Sequence, residues 1–115
     1  MSQKIKKIKF IINDKGMFFL ISLTLKIIYF KFYSKKFKNA NGIYLKKGFM
    51  ISGHKNISLG FNFRAGLSLR LEAITSYHKQ HFKPNLIIGD NVFINDYVHI
   101  GCVNYIKIGN NVLMA

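Results

Sequence analysis

The chain has 115 residues, half of them hydrophobic, with 18 Lys plus Arg against 4 Asp plus Glu. That length holds one domain, or one domain with an appendage, and the composition excludes a disordered or collagen-like chain. The single cysteine, Cys102, excludes an internal disulfide and fits a reducing compartment.

The charge is unevenly placed. Residues 1–47 carry twelve Lys and one acid, Asp14, whereas residues 48–115 carry six basic and three acidic groups. A polyanionic partner is therefore a matter for the N-terminal third alone. Residues 1–15 alternate Lys with Ile and Phe, and residues 16–33 are strongly apolar and aromatic. The longest uncharged run, Gly16 to Leu25, has ten residues, well short of the about 20 a bilayer-spanning helix needs. Basic flanks on both sides and the lack of a small-residue cleavage site before Lys35 argue against a signal peptide.

Residues 1–41 read as a basic, apolar, amphipathic segment with helical spacing. On a helix Lys15, Ser22 and Lys26 fall near one stripe, Phe18, Phe19, Leu23, Ile27 and Phe30 cover much of the rest, and Lys31 breaks the pattern. Three readings stay open at this point. The segment (residues 1–38) lies on an anionic membrane surface, with rings at the acyl boundary and lysines on head groups; it packs on its own domain with a solvated lysine face; or it binds single-stranded nucleic acid. The last has no recognition motif to support it.

From Leu45 the pattern changes to short β-branched stretches punctuated by Gly and Asn. Small residues follow an aliphatic at Leu59-Gly60, Ala65-Gly66, Ile88-Gly89, Ile100-Gly101 and Ile108-Gly109, and Gly60 to Gly66 and Gly89 to Gly101 are separated by one and two hexapeptides. The segment Ile88-Gly89-Asp90-Asn91-Val92 returns as Ile108-Gly109-Asn110-Asn111-Val112, twenty residues later. Three such hexads make a triangular coil: the opening aliphatic points inward, the fifth residue packs near a corner, and Gly or Asn tolerates the turn. Coils stack through parallel ladders. Residues 42–115 are therefore expected to form an all-β, parallel β-helix of roughly three coils, with Ile106-Lys107 as a two-residue insertion. An irregular loop is expected at about residues 71–84, where the period is lost. His78 and His81 fall in that loop without a cysteine or carboxylate beside them, so no metal site is expected there.

On these segments, Leu59 to Gly66, Leu71 to Ile74 and above all Ile87 to Gly101 running on to Ile108 to Ala115, the chain resembles the hexapeptide-repeat, left-handed β-helix acyltransferases. Within them it resembles the O-acetyltransferases of bacterial capsule, O-antigen and exopolysaccharide synthesis. The resemblance implies transfer of an acetyl group from acetyl-CoA to a sugar hydroxyl, with a lipid-linked sugar as one form of acceptor. It also implies a homotrimer with sites between subunits, and a cytoplasmic location, peripheral on the inner face of the membrane. It implies a histidine base in a segment like Asp-His-x-His-Gly, which suits a near-neutral pKa. No such segment occurs in these residues. The catalytic histidine is expected beyond Ala115, together with most of the acetyl-CoA site, and the chain is expected to be the N-terminal part of the enzyme, inactive and poorly stable alone.

Among the residues present, the resemblance assigns Asn95 to the acceptor site, where its amide would orient a hydroxyl or stabilise developing charge. Asp96 and Tyr97 would border the same cleft. The rival assignment for Asn95 is a turn role at the second hexad position. His99, at a sixth hexad position, is a candidate substitute base or an exposed residue; Arg64, Arg70 and Glu72 would contact an anionic acceptor or form outward salt pairs; Cys102 has no His beside it and is no nucleophile. The alternative class is a non-catalytic membrane-surface or scaffold protein using the basic N-terminus.

Overall fold

The computed structural model describes residues 16–115; the Lys and Ile alternation of residues 1–15 lies outside them. The apolar run forms helix α1, Met17–Tyr33, ending in a 3-10 turn at Ser34–Lys36. Only its last turn is packed. Phe30 is buried, and Phe30 and Tyr33 lie with Phe37 against Tyr44, Phe49 and His54 at ring separations of 5.0 to 6.1 Å.

Short strands follow: β1 (Asn39–Asn41), β2 (Tyr44–Leu45), β3 (Met50–Ser52), β4 (Ile57–Phe61), β5 (Arg64–Ala65), β6 (Arg70–Ala73), β7 (Ser76–Tyr77), β8 (Gln80–His81), β9 (Asn85–Ile88), β10 (Phe93–Ile94), β11 (His99–Cys102), β12 (Tyr105–Ile108) and β13 (Leu113–Met114). They build three parallel sheets, ordered β1-β4-β9-β12, β13-β10-β5-β2 and β11-β6-β3. The chain visits these three sheets in strict rotation, an arrangement compatible with a β-helix. The contacts of α1 are with residues of the first turn of that rotation, so its final aromatic turn covers one end of the core.

Register shows how the period is built. Phe93 pairs with Leu113, and Tyr44 with Arg64, each twenty residues apart. Six residues separate inward aliphatics on two sides of each turn, as at Ala65 to Leu71. The third side carries two inward aliphatics instead of one: Ile57 and Leu59, Leu86 and Ile88, Ile106 and Ile108, which pair in register across β4, β9 and β12. Ile106-Lys107 is therefore not a local insertion; the sides formed by β4, β9 and β12 are each two residues longer. The period is lost over a shorter stretch than residues 71–84, because Arg70–Ala73 is a full strand of the parallel stack. The excursion is confined to residues 74–84 and contains the antiparallel hairpin β7–β8.

The core is lined by first-place aliphatics (Leu45, Leu59, Leu71, Ile88, Ile94) and fifth-place residues (Ile43, Phe63, Leu69, Val92), all buried. In the last turn the corresponding Ile100, Ile106, Ile108, Val112 and Met114 are only partly buried.

The second-place glycines serve a different purpose from the turn tolerance expected of them. The left-handed backbone falls instead on stacked corner residues: Gly42, Asn62, Asn91 and Asn111 at one corner, and Gly48, Ser68 and Tyr97 at another. Gly66 and Gly89 are needed for close approach. A Cβ on Gly66 would meet Asp96 Oδ1 and the Asn95–Asp96 backbone of the next turn, and one on Gly89 would meet Asn110 Oδ1 and Gly109. The side chains they admit, Asp96 and Asn110, are with Asp90 beside Gly60 hydrogen-bond staples between turns. Phe61 N–H donates to Asp90 Oδ1, Asp90 N–H to Asn110 Oδ1 and Leu67 N–H to Asp96 Oδ1, each at 2.7 Å.

Candidate functional site

The six-residue step from β10 to β11 places Asn95, Asp96 and Tyr97 together at one corner, all three exposed. Asn95 N–H donates to the carbonyl of Met114 at 2.8 Å, and the Asn95 Oδ1 accepts from Asp96 N–H at 2.9 Å. This local turn bond fixes the amide plane and leaves Nδ2, with two N–H donors, as the outward group. Asp96 spends Oδ1 on the Leu67 staple and keeps Oδ2 as an acceptor.

Tyr97 is the unusual member. Its φ is 58°, where the equivalent corners carry Gly48 and Ser68, and its side chain is 75% exposed. A bulky side chain in the left-handed region costs about 1–3 kcal/mol, and no burial of the ring repays it. Tyr97→Gly is therefore expected to leave the melting temperature unchanged or raised, which thermal unfolding followed by circular dichroism would measure.

The adjacent β6 and β11 add His99 to an Arg70–Glu72 pair of the outward kind the sequence offered. His99 pairs with Arg70 in register, and Glu72 lies between their side chains. Glu72 Oε2 is 2.9 Å from His99 Nε2, while Oε1 accepts from Arg70 Nε and Nη2 at 3.1 and 2.9 Å. The hydrogen bond from His99, then that from Arg70, holds the Glu72 carboxyl below the usual carboxylate range. Such a pairing orients the imidazole through a carboxylate, yet His99 is half exposed on the flat of a sheet. Arg64, on β5, stands on a different sheet, with Nε donating to Asn62 Oδ1 at 3.0 Å and the guanidinium 5.6 Å from the Tyr44 ring. Cys102 is buried and its thiol points to the Asn85 carbonyl. His78 and His81 are on the hairpin, His78 edge-on to Tyr77. Among the described residues no cluster of three or more His, Cys, Asp or Glu could hold a metal ion.

A second pair escaped the sequence entirely. Tyr33 O–H lies 2.8 Å from His54 Nε2 where α1 meets the first turn. Burial, then Lys36 and Lys55, pushes the His54 imidazole down, and burial, then Tyr29, pushes the Tyr33 hydroxyl up. Both groups are thus neutral near neutrality. Because the folded pKa of His54 lies below its unfolded value, the stabilisation is present above about pH 6.5 and is lost as pH falls through the folded value. The melting temperature is expected to be lower at about pH 5.5 than at about pH 7.5, and His54→Gln to flatten that dependence.

Against known proteins, the chain is 37% identical over 60 residues to the Escherichia coli (strain K12) protein named "Putative lipopolysaccharide biosynthesis O-acetyl transferase WbbJ". The match takes in 52% of this chain and 27% of that protein, so the chain spans about a quarter of the length of the curated relative it matches. No family model and no solved structure matches the chain. The likeness supports a relationship to acyltransferases of surface-polysaccharide synthesis, carried by a segment of modest length.

Proposed function

We propose that residues 39–115 are the acceptor-side coils of a left-handed β-helix O-acetyltransferase that moves an acetyl group from acetyl-CoA to a sugar hydroxyl of a surface polysaccharide. The observation that carries this reading is the union of two facts: inward aliphatics stepping through three parallel sheets in rotation, and 37% identity over 60 residues to a protein named as an O-acetyl transferase of lipopolysaccharide synthesis.

In this reading the Asn95, Asp96 and Tyr97 corner holds the acceptor. Asn95 Nδ2–H donates to the sugar oxygen, the free oxygen of Asp96 accepts from a neighbouring hydroxyl, and the Tyr97 ring offers a face on which a pyranose stacks. The strain at Tyr97 supports a role outside stability, since a smaller residue would serve the corner better. The base is a histidine in coils outside these 115 residues, and the same coils supply most of the acetyl-CoA site. Deprotonation of the sugar hydroxyl, attack on the thioester carbonyl and release of CoA thiol would then take place between subunits of a trimer. The half-buried Ile100, Ile106, Ile108, Val112 and Met114 are the surface on which a further coil would stack.

The test is an exchange. Residues 42–115 replace the segment of the E. coli relative that contains the 60 matched residues, and transfer of labelled acetyl from acetyl-CoA to O-deacetylated polysaccharide is measured beside the unmodified relative. Transfer by the exchanged protein is expected. A folded exchange that transfers nothing, where the relative does, would remove the reading.

A further inference from the structure

Helix α1 carries chemistry that acyl transfer does not use. At about 100° per residue, Ile28, Ile21, Phe32, Leu25, Phe18 and Tyr29 follow one another in steps of about 20° within an arc of about 100°. All six are exposed, Phe18 by 86%, and Met17, Phe19 and Ile27 are exposed outside the arc. A helix of a globular protein turns an apolar stripe of that width toward its core; α1 leaves it exposed, with only its Leu25 and Tyr29 edge lining a groove against Tyr44, Lys46 and Phe49, while its packing on the coils runs through Phe30 and Tyr33, about 150° and 90° from the centre of the arc. Lys26 and Lys31 stand about 110° to either side of the centre of the arc. Lys31, which interrupts the linear pattern, is thus one of two flanking cations.

We propose that α1 lies in the plane of an anionic lipid bilayer, its Phe18, Ile21, Leu25, Ile28 and Phe32 face among the upper acyl chains and its two lysines extended to head-group phosphates. Charge selects this occupant over a second copy of the chain. A self-association along α1 would bring Lys26 and Lys31 against their copies, with Lys35, Lys36 and Lys38 close by, in a protein of formal charge +14. An anionic surface meets the same lysines with opposite charge. By length and composition Met17–Lys36 would also suffice to cross a membrane. Its last turn, however, is fixed to the coils, and the described part left free, Met17 to Ile28, is about 18 Å long against a hydrocarbon core of about 30 Å. The helix therefore lies along the surface.

The proposal is independent of the acetyl-transfer reading, and its test reads no acetyl group. The chain has no tryptophan, so Phe18→Trp in the full chain gives a single reporter on the apolar face and Leu113→Trp, exposed on β13 at the opposite end of its sheet from β2, a reporter away from it. With vesicles of phosphatidylcholine and phosphatidylglycerol, the Phe18→Trp emission is expected to shift to the blue and the Leu113→Trp emission to stay unchanged. Lys26→Glu with Lys31→Glu is expected to weaken partition into these vesicles at least about tenfold, leaving partition into pure phosphatidylcholine unaltered. Equal partition of the parent chain into both vesicle types would overturn the proposal. So would a Phe18→Trp blue shift that grows with protein concentration without vesicles, which would assign the face to a second copy. Resistance of the bound chain to alkaline carbonate extraction would show crossing and overturn the in-plane placement.

Discussion

Phe63→Ala is expected to destabilise the protein by about 3–5 kcal/mol, the range for removing a fully buried ring. Phe63 is completely buried and is the largest side chain in that class. It occupies the fifth place of its hexad, in register between Ile43 and Val92, and the backbone on either side is tied to the adjoining turns through Tyr44 N–H to the Phe63 carbonyl and Arg64 N–H to the Val92 carbonyl. The strands cannot close over the void without breaking those ladders, so the cavity term persists. A loss of that size is a large fraction of the stability of a small domain. Chemical unfolding of the variant beside the parent chain checks it; a change of less than about 1 kcal/mol would mean that the turns slide to fill the space.

Gly66→Ala is expected to cost about 3 kcal/mol, although alanine is the smallest side chain that can be added. Gly66 is buried, its N–H donates to the Ile94 carbonyl at 2.8 Å, and its Cα faces the Asn95–Asp96 backbone directly. An added methyl must displace Asp96 Oδ1, which breaks the staple to Leu67 N–H, and must also push the next turn away. Gly109 is the internal control, since nothing lies within contact of a Cβ there; Gly109→Ala should change stability by no more than a few tenths of a kcal/mol. Equal effects at the two positions would mean that the glycines serve the backbone turn and not the approach between turns.

Much of the architecture was legible because a single side-chain period runs through it. The opening aliphatics at Leu59, Ala65, Leu71, Ile88 and Ile94 stand where the phase puts them, at inward positions of parallel strands, since burial on one face of each of the three sheets leaves only one way to phase the aliphatics. The longer third side was not legible. Ile57-Ser58 and Leu86-Ile87 read as ordinary alternation, so the equivalent Ile106-Lys107 looked like an isolated insertion. The hairpin at Ser76 to His81 hid the alignment of β6 with β11, because nine residues beyond the usual twenty separate Arg70 from its partner His99. The Glu72 link to His99 follows from that register and from nothing nearer in sequence, whereas its pairing with Arg70, two residues away on the same strand, was open to the sequence as an outward salt pair. The reason for the glycines was misread in the same way: sequence shows which residue is small, while the crowding atom belongs to another turn. For the candidate site, the resemblance singled out Asn95, Asp96 and Tyr97, but nothing in the sequence showed that Asp96 is half consumed as a staple or that Tyr97 holds a strained backbone.

The most direct measurement is steady-state acetyl transfer by the exchanged protein carrying Asn95→Ala, with its melting temperature recorded alongside. Asn95 makes one exposed local turn bond through Oδ1, so its removal costs little stability, while loss of a donor aimed at the reacting oxygen typically lowers kcat about 100-fold or more. The predicted result is a fall in kcat of that order with KM for acetyl-CoA and the melting temperature nearly unchanged. An unchanged kcat would contradict the assignment of this corner to the acceptor.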